Sequence, residues 1–225
     1  MIGYCFYMTQ TISPSRAKMT NEYAGNFYEA VRRGANIASI GDVMAARNET
    51  PIRKGAWNRY GWTREARIFV PRAKVLFIRN SPLLNEDLAK QLLEANSRGK
   101  MLYIQEIYEK QLAIAKQDED KPYGERRAMV LPFRNTSLLD ENSYFEVLEF
   151  CAGKYGPEIA RTNLRRLREE AGINGITYSL MDPKEVDKEK KPFISQSWFC
   201  DIAGWVSAIR GVDLGYDIKI FRVSD

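Results

Sequence analysis

Residues 49–64, ETPIRKGAWNRYGWTR, interleave the rings of Trp57, Tyr60 and Trp62 with the cations of Arg53, Lys54, Arg59 and Arg64. Such rings offer stacking surfaces, and guanidinium forks match phosphate or carboxylate oxygens. Two glycines and the lack of any period read as a loop, and loops carry function more often than packed elements do. The stretch therefore reads as a contact for a nucleotide, a nucleic acid or an acidic protein. The competing reading is that the rings pin a long loop to the core while the cations stay solvated. A second basic array, Arg161, Arg165 and Arg168, recurs at helical spacing beside an apolar stripe. It is either a face for an acidic partner or a solvated helix face.

The residue inventory excludes several chemistries. The 225 residues include no histidine, which removes Ser-His-Asp and Cys-His catalysis, imidazole metal ligands and the commonest base near neutral pH. Any catalysis falls to carboxylate, Lys, Tyr, Cys or Arg. Cys5, Cys151 and Cys200 are odd in number and widely spaced, with no CxxC pair. That argues against a structural zinc site and reads as reduced thiols of a cytoplasmic protein. Asp118, Glu119 and Asp120 lack the loop spacing of a cation site and read as a solvated run, so no metal is expected. No P-loop and no G-x-G-x-x-G are present. Asp182-Pro183-Lys184 matches half of a magnesium-nuclease pattern, but its internal proline reads as a loop. The N-terminal MIGYCFYMTQ has no basic region of a signal peptide, and no apolar run approaches a membrane span. A net charge of +5 mildly favours an acidic partner.

These groups need a frame, and residues 63–84 supply its centre. Ile68 and Val70 alternate with Arg67 and Phe69, the period of a half-buried strand. Val75-Leu76-Phe77-Ile78 reads as a strand covered on both faces. Pro71 belongs at the bend between them, and Asn80-Ser81-Pro82 is turn chemistry. Asn85 caps the next helix, with Glu86 and Asp87 at its positive end. Before this centre, residues 3–12 read as a strand, Asn21 as the cap of a helix ending near Gly34, and 37–44 as a short helix or buried turn. After it come a helix over 101–116, a charged linker at 118–122 and a strand at 129–131. A helix opened by Asp140 or Ser137 follows, then one from Pro157 to Gly172, where glycine suits the left-handed end. A strand at 176–180, a charged loop at 182–191, a strand followed by a short helix or second strand over 193–209, and a strand at 216–223 complete the order.

The segment LREEAGINGITYSL (167–180), a helix ending in glycine before a turn and strand, resembles a segment of ADP-ribosyltransferase-like domains of phages and bacterial effectors. Residues 65–71 are similar to a strand of the same fold. The resemblance covers about a third of the chain. It implies NAD as cofactor, Arg16 or Arg67 as a phosphate clamp, Trp57, Tyr60 or Trp62 stacked on a ring, and Glu65 stabilising positive charge at the sugar. The catalytic motifs of that family are not matched. There is no histidine and no Ser-Thr-Ser, the first strand carries no arginine, and Gln117-Asp118-Glu119 lies in the charged linker.

The sequence thus predicts one α+β domain over 1–225, with a mixed, mostly antiparallel sheet and several packing helices. The missing signature ranks a non-enzymatic binding, inhibitor or accessory protein of phage or mobile-element type first. It needs no cofactor and contacts an acidic protein or nucleic acid through Arg53, Lys54, Trp57, Arg59, Tyr60, Trp62, Arg64 and the 161/165/168 stripe. The transferase reading stands second.

Overall fold

Strand β2 (Gly61–Val70) is the axis of the sheet. Its second half lies between β3 (Lys74–Ile78) and β7 (Phe193–Phe199), both antiparallel to it. Its start lies beside β9 (Lys219–Ser224) in parallel, with Trp62 opposite Ile220. These relations come from a computed structural model, which describes residues 18–23, 27–52, 61–71, 74–98, 100–132, 136–139, 142, 144–179, 183–199, 207–212 and 219–224. The remaining strands are β1 (Lys18–Tyr23), β4 (Ala128–Pro132), β5 (Thr136–Leu139), β6 (Ile176–Ser179) and β8 (Ser207–Val212). Among the described residues the sheet runs β1-β9-β2-β7-β8-β6-β5, with β3 and then β4 also built onto β2. Only β2 with β9 and β6 with β8 pair in parallel among them. This is the α+β architecture with a mixed, mostly antiparallel sheet that the sequence predicts.

Both faces of the centre are covered. On one face Phe69, Val75, Phe77 and Phe193 pack under α2 (Ile40–Glu49), α5 (Phe145–Ala152) and α6 (Pro157–Ala171). On the other, Trp62, Ile68, Leu76 and Ile194 share a core with residues of α1 (Phe27–Arg32), α3 (Glu86–Ser97) and α4 (Gln105–Gln117). Alternate residues of β2 and β3 thus enter different cores, as a period of two requires. Each fully buried Phe or Leu stabilises the fold by roughly 1.5–3 kcal/mol. The Phe69 and Phe193 rings, 5.3 Å apart and stacked, add about 0.5–1.5 kcal/mol.

Local signals read correctly at several ends. Asn85 accepts from the Leu88 amide at the start of α3. Pro157 opens α6, and Gly172 closes it at φ 69°. Elsewhere the structure corrects the sequence reading. Asn21 lies in β1 rather than capping a helix, which begins at Phe27. Residues 61–64 belong to β2 rather than to a loop. Arg67 and Phe69 are fully buried, so β2 is not half-exposed. Ser137 lies in β5, and Pro183–Lys188 forms a helix, α7, inside the expected charged loop. In the 118–122 run residues 119–122 are exposed, as a solvated run requires, but Asp118 is not. Asp118 is fully buried and accepts from the Arg127 amide at 2.9 Å, the Arg127 guanidinium at 2.9 Å and Lys121 at 2.8 Å. Those bonds, the Arg127 side chain first, hold its carboxyl well below the usual carboxylate range. The strand expected at 3–12, Cys5, Asp140, Asp182 and Cys200 lie outside the described residues.

Candidate functional site

The loop that the sequence singles out connects α2 to β2, and both its anchors are interior. Ile52 packs against the core that holds α2, while Gly61 and Trp62 are buried at the other end. Arg53, Lys54, Trp57, Arg59 and Tyr60 lie outside the described residues, as does Arg16. Trp62 is fully buried, edge-on to Phe27 with ring centroids 6.0 Å apart. Its indole Nε1 has no hydrogen-bond partner among the described residues. Arg64 is half-buried; its amide donates to the Ala38 carbonyl at 2.9 Å.

Between Trp62 and Ala66 the register with β7 breaks. Trp62 faces Trp198 and Ala66 faces Gln196, so three residues of β2 stand against Ser197 alone. Such a bulge re-aims side chains and leaves backbone groups off the ladder. Gln196 supplies what is missing. Its amide nitrogen donates to the carbonyls of Thr63 and, at 2.7 Å, Glu65. Its amide oxygen accepts from the Ser81 hydroxyl at 2.7 Å. The Ser81 amide in turn donates to the Arg64 carbonyl at 2.8 Å.

The bulge brings the Glu65 carboxylate to the N-terminus of α2. Both oxygens accept from the Ile40 amide, at 3.0 and 3.1 Å. The group is fully buried, and that burial pushes its pKa up to about 7. Desolvation outweighs the hydrogen bonds from Ile40 and Thr63 and the nearby Arg79 charge, all of which pull the other way. Arg67, also fully buried, lies on the same side of β2. Arg79 donates to the carbonyls of Arg126 at 2.9 Å and Tyr123 at 3.3 Å, and lies 4.5 Å from the centre of the Phe150 ring. Gly153, at φ 58°, leaves room for that guanidinium where any Cβ would collide with it. Cys151 is buried beside these groups, and burial raises its thiol pKa well above the usual value.

At the surface, the α6 stripe divides. Arg161 already binds Glu158 at 2.5 Å and lies over the Phe145 ring at 5.0 Å. Arg165 and Arg168 are exposed and make no ion pair among the described residues. Sequence reasoning missed Arg166, which donates to the Arg47 and Asn48 carbonyls at 2.8 and 2.9 Å and closes the C-terminus of α2. The signal is its position three residues after Asn163, a buried side chain that donates to the Met44 carbonyl and to Asn48. Among the described residues no group of three or more Cys, Asp or Glu side chains is placed to hold a metal. None of their helices is long and apolar enough to cross a membrane.

No protein-family model matches the chain, and no curated protein matches it. A solved structure does. It is a protein described under "Accommodation of massive sequence variation in Nanoarchaeota by the C-type lectin fold", with a TM-score of 0.58 at 11% identity. The match covers 94% of this chain and 98% of that one. The chain therefore has the C-type lectin fold. This overturns the likeness to ADP-ribosyltransferase-like domains. Residues 167–179 of the first segment are the passage from α6 into β6, and 65–70 of the second lie in the central strand, of a different fold.

Proposed function

We propose that this chain is a binding protein without catalytic activity, whose partner is an acidic protein surface. The placement of charge carries the reading. Glu65, Arg67, Asp118 and Cys151, four groups with chemical potential among the described residues, are interior. The cations left at the surface include Arg165 and Arg168 on α6. Residues 53–60 add Arg53, Lys54, Arg59, Trp57 and Tyr60 to a segment whose two ends are held by the core. Rings and guanidinium groups together are the side chains that dominate protein interfaces.

A protein partner is favoured over a nucleic acid by what lies between the cations. Glu158, Glu169 and Glu170 share α6 with Arg161, Arg165 and Arg168. Such mixed charge repels a continuous phosphate backbone but suits a patterned protein surface. The neighbour's fold is described as accommodating massive sequence variation. A framework closed by interior bonds, with its recognition groups on a connecting segment, suits that kind of role here too. No cofactor enters this reading.

The test is affinity capture from nuclease-treated lysate with the wild-type chain, Trp57→Ala/Arg59→Ala and Arg165→Glu/Arg168→Glu as parallel baits. A protein retained by the wild type and lost from both variants, with thermal midpoints unchanged, supports the reading. Retention by both variants overturns it.

A further inference from the structure

Strand β4 ends the sheet on its side. It pairs with β3, and no strand lies beyond it among the described residues. The register fixes which of its backbone groups face outward. The Arg79 amide donates to the Arg127 carbonyl at 2.9 Å, and Ile78 stands opposite Ala128. Arg127 therefore faces β3, and the direction of bonding alternates along an antiparallel strand. Met129 and Leu131 then bond to β3, whereas the amides and carbonyls of Ala128 and Val130 and the carbonyl of Pro132 point away from it. Pro132 fits this direction, because the N–H it lacks would have pointed off the sheet. Met129 and Leu131 are buried, but Val130, opposite Leu76 on the face that α4 covers, is 39% exposed.

Charge is divided along this edge. At the Ala128 end Asp118 takes up Lys121 and Arg127, while Arg126 donates to the carbonyls of Lys121 and Glu119 and stacks over the Tyr123 ring. Glu119, Asp120 and Glu125 are exposed there and make no ion pair among the described residues. Lys116, near the end of α4, is the unengaged cation beside them. At the other end Lys74, opposite Pro132, is exposed and also makes no ion pair among the described residues.

We infer that β4 is a self-pairing edge, at which two copies of this chain join their sheets antiparallel about a twofold axis through Val130. Each Val130 donates to the carbonyl of its counterpart, and each Ala128 amide donates to the other copy's Pro132 carbonyl, which makes four backbone bonds. Residues opposite one another share a face, so the two exposed Val130 side chains meet. The same arrangement brings the acidic end of each copy to the Lys74 end of the other. A twofold interface requires such self-complementarity of one surface patch, and this selects a second copy over an unrelated extended segment. Four bonds and two valines are a small interface, so the dimer is weak. The inference does not rest on the acidic partner proposed above.

Sedimentation velocity over a concentration series, with amide hydrogen exchange at the same concentrations, tests it. The 25.9 kDa chain should move toward twice that mass at roughly 0.1–1 mM, with the Ala128 and Val130 amides gaining protection in step. Val130→Pro removes an amide that points off the sheet and no bond to β3. Val130→Lys sets like charges opposite each other. Each should weaken the dimer by about tenfold or more, with protection of the Met129 and Leu131 amides unchanged. If Val130→Pro fails to fold, Val130→Lys and the exchange series decide. A chain that stays monomeric to about 1 mM overturns the inference, as does a dimer that both variants keep. Protection of the Val130 amide at every concentration also overturns it, since another segment of the same chain would then already cover the edge.

Discussion

Replacing Gln196 by Leu tests whether the bulge in β2 is held by one side chain. Leu is of similar volume, so the packing change is small and the loss is polar. Three buried groups lose a partner: the carbonyls of Thr63 and Glu65, and the Ser81 hydroxyl. Each unsatisfied buried group costs roughly 1–3 kcal/mol. The Ser81 oxygen keeps its bond from the Leu83 amide, which places it at the low end. The sum is about 3–7 kcal/mol, a large part of the roughly 5–15 kcal/mol of an ordinary domain. Urea unfolding followed by tryptophan fluorescence measures it, since Trp62 is buried at the edge of the bulge. The midpoint should fall with the slope unchanged. Ser81→Ala, which leaves the Gln196 amide oxygen and the buried Leu83 amide without these partners, should cost about 2–6 kcal/mol. A Gln196→Leu protein within 1 kcal/mol of wild type would refute the argument that the bulge depends on this amide.

Other substitutions probe other joints. Gly41→Ala would put a Cβ 2.5 Å from the Ala152 carbonyl oxygen and 2.8 Å from that of Cys151. Both are backbone atoms, so the helices must separate, and calorimetry should show a loss of about 1–3 kcal/mol. Arg166→Ala leaves the Arg47 and Asn48 carbonyls short of a donor. It should destabilise by about 1–3 kcal/mol in chemical denaturation. Asp118→Asn should lower the thermal midpoint at neutral pH. Asp118 has a depressed folded pKa, so its stabilisation is present above the ordinary value of 3.8 and fades as pH falls below it. The gap from wild type should therefore narrow in scans below about pH 4. Arg165→Glu/Arg168→Glu should stay within about 0.5 kcal/mol of wild type in the same scans, as exposed sites do.

What could be read from the sequence was local. The α6 limits follow from Pro157 and Gly172, and the hairpin of β2 and β3 from a strand pattern broken at Pro71. The Asn85 cap follows from its own side chain. What could not be read depends on partners far along the chain. The bulge exists because Gln196, over 130 positions away, bonds across it. A period of two in the sequence carries no sign of that. Asp118 looks solvated among its neighbouring charges until Arg127 folds back onto it. Arg67 and Glu65 look like exposed polar residues of an alternating strand, yet the face they share is roofed by α2, α5 and α6. For the same reason, a short likeness at 65–71 and 167–180 pointed to the wrong fold: a helix–glycine–strand passage is common to many architectures. In the site, the exposed pair Arg165 and Arg168 was legible from helical spacing. The burial of Trp62 matches the competing reading, in which the rings of that stretch pin it to the core, whereas the engagement of Arg161 was not legible.

The most direct measurement is fluorescence anisotropy of two labelled probes titrated with the chain, an acidic polypeptide in which Glu clusters alternate with Lys, and a mixed-sequence DNA duplex, at low and moderate salt. The account predicts tighter binding of the acidic polypeptide, lost in both Trp57→Ala/Arg59→Ala and Arg165→Glu/Arg168→Glu. Tighter binding of the duplex with a steep salt dependence, or affinities unchanged in both variants, would contradict it.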